Sequence, residues 1–141
     1  MRRLHLYDKM ADEVVVSPLF TGEDYKTQVW ISKRAMKAFW SHGGVGRFDQ
    51  KLERYAEKTF ENWIGAGRPI QRRESGVFRI GHKTTTFRLF GFFGESADEF
   101  IIVEDWFGKP GGNNPRGERE ALKRAVAIKE NDLWRKDNDG G

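Results

Sequence analysis

The second half of the sequence contains three apolar segments that predict strands. Three basic residues lie inside these segments or directly after them. Arg79 lies within residues 77–80, Arg88 lies within residues 84–93, and Lys109 follows residues 100–107. A guanidinium group is a planar fork that holds two phosphate oxygens and stays charged. Because side chains alternate along a strand, Arg88 points to the face opposite Phe87 and Leu89. If that face is the floor of a hollow, the pattern predicts a phosphate-binding site that Arg79 and Lys109 flank.

Four further basic residues surround this predicted hollow. His82 and Lys83 fall in the turn that connects the first two strands, from which they would reach the same groove. Arg72 and Arg73 precede the first strand, and we expect them to bind flanking phosphates. The sequence alone also allows them to be ordinary charged residues of solvated loops.

A structural interpretation also remains open for the residues inside the strands. Arg88 would snorkel from a sheet edge, or pair with Glu104 or Asp105 across the hairpin. Lys109 would be a solvated lysine beside a Gly-Pro-Gly run. Glu104 and Asp105 are adjacent in one strand, so we expect them to face opposite sides of the sheet, where they cannot share a proton.

The charges are distributed unevenly along a chain whose formal net charge is +4 and whose isoelectric point is about 9.4. Residues 68–94 contain one acid, Glu74, among six bases, which are Arg68, Arg72, Arg73, Arg79, Lys83 and Arg88. Residues 95–105 contain no base and five acids, which are Glu95, Asp98, Glu99, Glu104 and Asp105. This asymmetry indicates one basic face that suits a polyanion, or else a solvated hairpin with compensating charges.

The composition excludes several classes of site. There is no cysteine, so neither a disulfide framework nor a thiolate metal ligand is available. Phosphate-cradling glycine loops, HExxH and EF-hand patterns are absent, and three scattered histidines predict no metal site. We therefore expect no metal and no cofactor. No apolar run approaches a signal peptide or a membrane span, which leads us to expect a cytoplasmic protein without a membrane partner.

The order of predicted elements places the chain in the α+β class. Residues 13–16 and 28–31 predict short strands, and Ser32 is placed to cap a helix with an inward stripe of Met36, Phe39 and Trp40. A second helix is predicted over residues 47–63. Three antiparallel strands and a helix from Pro115 to about Trp134 follow. Helices grouped apart from an antiparallel sheet predict a small sheet, made of a three-stranded C-terminal meander and short N-terminal strands, packed against helices.

Residues 47–130 resemble the RelE/HigB-like toxins of toxin–antitoxin pairs, in their phage-derived branch. The resemblance rests on a helix, GVFRI at 76–80, TFRLFGFF at 86–93, FIIVEDWFGKP at 100–110, and a helix that opens with RGEREA at 116–121. It implies one RelE-like domain over residues 1–141. Residues 1–46 would be an N-terminal extension, residues 47–135 the core, and residues 136–141 a frayed tail.

The resemblance implies a metal-independent endoribonuclease that cleaves messenger RNA, often on the ribosome, and that a small antitoxin neutralises. Arg79, Arg88 and Lys109 would stabilise the phosphate, and His82 would serve in acid–base catalysis. The chain departs from the family because no histidine follows His82 and no tyrosine follows Tyr55. That departure favours the alternative, a non-catalytic module of phage or mobile-element origin that binds nucleic acid or protein.

Overall fold

The computed structural model describes residues 13–42, 47–67, 69–81, 87–108 and 115–137. The strands, in chain order, are β1 (Val14–Phe20), β2 (Gln28–Ser32), β3 (Ile70–Arg72), β4 (Phe78–Gly81), β5 (Phe87–Phe93), β6 (Glu99–Phe107) and β7 (Trp134–Lys136). The helices are α1 (Lys33–His42), α2 (Phe48–Ala56), α3 (Phe60–Ile64) and α4 (Pro115–Glu130). The mixture of helices and strands confirms the predicted α+β class.

The seven strands of the described residues form one mixed sheet in the order β3-β4-β5-β6-β2-β1-β7. Strand β2 runs parallel to β6 and β7 runs parallel to β1, whereas the other neighbours are antiparallel. The prediction of a small antiparallel sheet is therefore wrong. The physical reason is that β2 and β6 carry apolar side chains on both faces. Val29 and Ile102 belong to one core cluster, whereas Trp30 and Ile101 pack in the cluster on the other face. Strands of that kind belong at the centre of a covered sheet.

The sheet has a helical layer on each side. Helices α1, α2 and α3 cover the front face, where Phe39, Leu52 and Trp63 pack against Phe87 and Phe100. Helix α4 covers the back face, where its small and branched side chains, Ala121, Leu122, Ala125 and Ile128, pack on Phe90, Phe92, Ile101 and Val103. The alternation of side chains along β5 and β6 supplies both cores, because each strand feeds both faces.

Two helix boundaries coincide with identifiable contacts, and a third differs from the prediction. Ser32 caps α1 as predicted, because its hydroxyl accepts a hydrogen bond from the Ala35 N–H at 3.2 Å. The single helix predicted over residues 47–63 is instead divided into α2 and α3. At the division the buried Thr27 donates from its hydroxyl to the Lys58 carbonyl at 2.6 Å. Helix α4 ends at Glu130, short of the predicted Trp134, and the chain then adds β7 beside β1.

One register irregularity between β5 and β6 determines which charges reach which face. Phe90 pairs with Glu104 while Gly91 pairs with Ile102, so β6 contains one extra residue there. A Cβ at Gly91 would clash with the Ile101 carbonyl oxygen, which explains why glycine occupies this position. The bulge turns Glu104 to the back face and leaves Asp105 on the front.

Candidate functional site

The back face contains a hydrogen-bonded row of polar side chains near the first turn of α4. In the antiparallel register Gln71 of β3 pairs with Arg79 of β4, and Arg79 pairs with Phe90 of β5. The three side chains therefore lie abreast on one face of the sheet. Arg79 Nη2 donates to Gln71 Oε1 at 2.7 Å, and Arg79 Nη1 donates to Glu118 Oε2 of α4 at 2.6 Å. Both charged partners are about three quarters buried. The Arg79 guanidinium is thus fixed in direction by an amide and a carboxylate.

A cavity of about 180 Å³ opens beside this pair and is the candidate site, which we call the arginine groove. Its walls are three arginines, one glutamate and two apolar side chains, namely Arg73, Arg79, Arg119, Glu118, Phe90 and Leu122. Three cations against one carboxylate leave the groove net positive at neutral pH. The arrangement suits an anionic group that sits between guanidinium forks with an apolar or planar group beside it.

Arg88 lies on the same face of the sheet, one strand further along. Its Cα pairs with Gly81 on one side and with Trp106 on the other. The missing side chain of Gly81 makes room for it, because a Cβ there would stand 2.5 Å from Arg88 Cδ. Burial lowers the pKa of Arg88, the positive charge of Arg79 lowers it further, and Glu118 acts in the opposite direction. Arg88 therefore contributes to the positive potential near the groove without lining its wall.

Glu104 and Asp105 face opposite sides of the sheet, as predicted from their adjacency. Glu104 forms an ion pair with Arg124 of α4 at 3.2 Å on the back face. Asp105 forms one with Arg34 of α1 at 3.8 Å on the front face. Burial raises the pKa of both carboxyl groups, and the neighbouring arginines offset part of that effect.

The remaining predicted site residues divide into two groups. Arg72 and Arg73 line an open hollow of about 510 Å³ at the β3 edge of the sheet, and Arg73 also lines the arginine groove. The structure therefore brings Arg73 and Arg79 together and leaves Arg72 in the neighbouring hollow. His82, Lys83 and Lys109 lie outside the described residues.

Glu118 and Arg119 of the groove, and Gln71, which orients Arg79, were not predicted from the sequence. A signal for Glu118 was present, since the inward stripe of the last helix continues one turn back from Ala121 and Leu122 to this residue. The charged segment 116–120 obscured that continuation. Gln71 gave no comparable signal, because only the pairing of β3 with β4 places it beside Arg79.

Within the part of the chain that the structure describes, no group of three or more histidine, aspartate or glutamate side chains could hold a metal ion. No helix there combines the length and apolar character that crossing a membrane requires. Comparison of the chain with protein-family models, with curated proteins and with solved structures finds no match.

Proposed function

We propose that this chain binds RNA and that the arginine groove holds phosphates of the RNA backbone. The observation that carries the proposal is the convergence of Arg73, Arg79 and Arg119 on one open cavity between β4 and α4. Phosphate contacts supply most of the sequence-independent affinity of nucleic-acid-binding proteins. The choice of RNA over other polyanions rests on the resemblance of residues 47–130 to RelE/HigB-like toxins.

The geometry of Arg79 supports a phosphate site in a specific way. The Glu118 carboxylate accepts from Arg79 Nη1 at 2.6 Å and so occupies the place that a phosphate oxygen would take. Gln71 keeps the guanidinium plane oriented from the other side. A phosphate that enters the groove therefore meets an oriented donor, but it competes with Glu118 for it.

RNA cleavage is a second candidate function, and the position of Glu118 favours it. A carboxylate among three arginines can take the proton of a ribose 2′-OH while the guanidinium groups stabilise the phosphate. The 2′ oxygen then attacks phosphorus and the bond to the 5′ oxygen breaks. That oxygen leaves with a proton from water, which yields a 2′,3′-cyclic phosphate and a 5′-OH end. In this version the chain is a toxin-like endoribonuclease of the cytoplasm with a small antitoxin as its partner.

Binding is tested by fluorescence anisotropy of a labelled single-stranded RNA with the wild-type protein and two matched variants. Arg79→Gln removes a groove charge, and Arg54→Gln removes an exposed charge from α2 on the opposite layer. We expect Arg79→Gln to weaken binding about tenfold and to reduce the slope of log affinity against log salt by about 0.7, the value for one phosphate contact. Equal affinities for the two variants would contradict the groove as the binding site.

Cleavage is tested separately, with purified protein and end-labelled RNA in the presence of a metal chelator. We expect cyclic-phosphate ends with the wild-type protein and at least a hundredfold slower cleavage with Glu118→Gln. Induction in bacteria gives the cellular readout, in which the wild-type protein arrests growth and Arg79→Gln does not. Intact RNA and normal growth with the wild-type protein would exclude the enzymatic version and leave the binding proposal standing.

A further inference from the structure

The outer surface of α1 is basic and carries an exposed indole ring. Its charged residues outside the last turn are Lys33, Arg34 and Lys37, and the helix contains no acid. Trp40 is 63% exposed, although the sequence predicted it in the inward stripe with Met36 and Phe39. The prediction is wrong for Trp40 because Phe39, the residue just before it, already fills the core position, and the next residue of a helix points about 100° away.

Helical geometry places these exposed side chains on one arc. Ala35 and Phe39 are fully buried and define the inward direction of α1. Successive residues turn by about 100°, so Lys33, Lys37 and Trp40 all point outward within one arc of the opposite side. Trp40 packs edge-on against Phe39, with ring centroids 5.0 Å apart and planes at 69°. This contact fixes the indole in position while most of its surface faces solvent.

The end of the same helix provides a second aromatic surface. The His42 ring stacks face to face on Phe107 of β6, with centroids 3.9 Å apart and planes at 7°. Phe107 is itself 46% exposed, at the end of a strand whose middle residues are buried. Arg34 lies on this flank, where it pairs with Asp105.

From these observations we propose that the outer surface of α1 is a second nucleic-acid-binding surface, specific for single-stranded segments. A base stacks on Trp40, and the ammonium groups of Lys33 and Lys37 neutralise the adjoining phosphates. Phe107, stacked with His42, offers a further ring on the opposite flank. The identity of the ligand as RNA rests on the proposed function, but the surface lies on the front layer and is separate from the arginine groove on the back.

The combination of charge and aromatic rings selects this ligand over others. An acidic peptide would use the cations alone, whereas single-stranded nucleic acid uses both the cations and the ring faces. Lys33 and Trp40 are seven positions apart, which is about 10 Å along the helix axis. At roughly 3.4 Å for each stacked nucleotide, that length accommodates about three nucleotides.

The test titrates the full chain with oligouridylate of about twelve nucleotides and records both tryptophan fluorescence and anisotropy. Trp40→Leu removes the exposed ring, and Ile64→Ala is its control, because Ile64 is an exposed apolar residue of the same helical layer. We expect the wild-type fluorescence to be quenched, the quenching to be largely lost in Trp40→Leu, and the affinity of that variant to fall on the order of tenfold. A thermal melt confirms that both variants remain folded.

Arg79→Gln separates the failure of this proposal from the failure of the proposed function. If Arg79→Gln weakens binding while quenching and affinity are the same in Trp40→Leu and wild type, the groove binds RNA and the α1 surface does not. If Trp40→Leu weakens binding and Arg79→Gln does not, the α1 surface stands and the groove proposal fails. Binding of polyglutamate that quenches Trp40, with no binding of oligouridylate, would overturn the inference in favour of an acidic protein partner.

Discussion

The Arg79 guanidinium of β4 and the Glu118 carboxylate of α4 form a 2.6 Å ion pair, with about a quarter of each side chain exposed. The pair joins the sheet to the helix that covers its back face. It also places a carboxylate where an anionic ligand of the groove would bind. One contact therefore influences both the stability of the fold and the access of phosphates to Arg79.

Replacing Glu118 with glutamine separates these two effects. The neutral amide retains the shape of the side chain but no longer competes with phosphate, so we expect Glu118→Gln to bind single-stranded RNA more tightly, by about three- to tenfold. Loss of the partly buried charge pair lowers the free energy of unfolding by about 1 kcal/mol. Anisotropy and urea unfolding measure the two quantities on the same protein.

Glu120→Gln is the matched control for this experiment. Glu120 lies on the same helix and carries the same charge, but it is exposed and pairs only loosely with Arg116 at 3.8 Å. We expect a smaller gain in affinity and no measurable change in stability. If Glu120→Gln increases RNA affinity as much as Glu118→Gln, the effect comes from net charge and Glu118 is not a competitor for the groove.

The two close-packed glycines of the sheet should tolerate alanine very differently. A Cβ at Gly91 meets the Ile101 carbonyl oxygen of the neighbouring strand, which cannot move without breaking the sheet, whereas a Cβ at Gly81 meets the flexible side chain of Arg88. We expect Gly91→Ala to lower the free energy of unfolding by about 3 kcal/mol or more and Gly81→Ala by about 1 kcal/mol. Urea denaturation of both variants decides the matter, and equal losses would mean that the β5–β6 bulge relaxes.

Local elements of the fold were predictable because their signals lie within one segment. The helix cap at Ser32 and the alternation along β5 depend only on neighbouring residues. The pairing of β2 with β6 was not predictable, because it joins Val29 to Phe100 across about half of the chain. Nothing in the period of either strand specifies a parallel partner.

Strand β7 shows the same limit more clearly. Its three residues, Trp134, Arg135 and Lys136, have no apolar pattern, and the sequence predicted the end of a helix and the start of a frayed tail there. What holds the strand is tertiary structure, since Trp134 packs on Phe92 with ring centroids 5.8 Å apart and Lys136 forms an ion pair with Glu99. Such contacts cannot be predicted until the position of β1 in the sheet is known.

The site was predictable to the extent that strand alternation determines it. The alternation of side chains along a strand predicts that Arg88 faces away from Phe87 and Leu89. The burial of Phe87 and Leu89 in the front-face core confirms this prediction. The contact of Arg79 with Glu118 depends instead on where α4 crosses the sheet. The docking angle of a helix follows from the packing of many side chains, not from any local motif.

Asp105 should make the stability of the fold depend on pH. Burial raises the pKa of its carboxyl group above the ordinary value of 3.8, against the opposing effects of Arg34, Arg124 and His42. Between pH 3.8 and the folded-state pKa, the folded state therefore binds more protons than the unfolded state. The free energy of unfolding consequently decreases as the pH rises through the folded-state pKa. We expect Asp105→Asn, which has no charge to bury, to be more stable than the wild type at neutral pH. The difference should shrink as the pH falls through the raised folded-state pKa and be smallest below the ordinary value.

Urea unfolding at a series of pH values measures this difference. Asp24→Asn is the control, because Asp24 is exposed and the substitution should leave the pH dependence as it is in the wild type. A stability loss in Asp105→Asn at neutral pH would mean that the ion pair with Arg34 outweighs the cost of burial.

Arg88 should influence RNA binding through its field and not through contact. Its positive charge acts on Arg79, but its side chain does not line the groove. Burial lowers the pKa of Arg88, and a guanidinium group nevertheless stays charged in proteins. Arg88→Met retains the length of the apolar stem and removes the charge. We expect a two- to fivefold loss of affinity at low salt that nearly disappears at high salt, because a charge that acts across a distance is screened.

The salt dependence distinguishes the two arginines. Loss of a direct phosphate contact in Arg79→Gln reduces the slope of log affinity against log salt by about 0.7, whereas Arg88→Met should change it by less than about half of that. A full reduction in Arg88→Met would show that Arg88 reaches a phosphate itself, as the sequence first predicted. In that case the binding path extends from the groove along β5 toward Gly81, and the end of the sheet becomes part of the site.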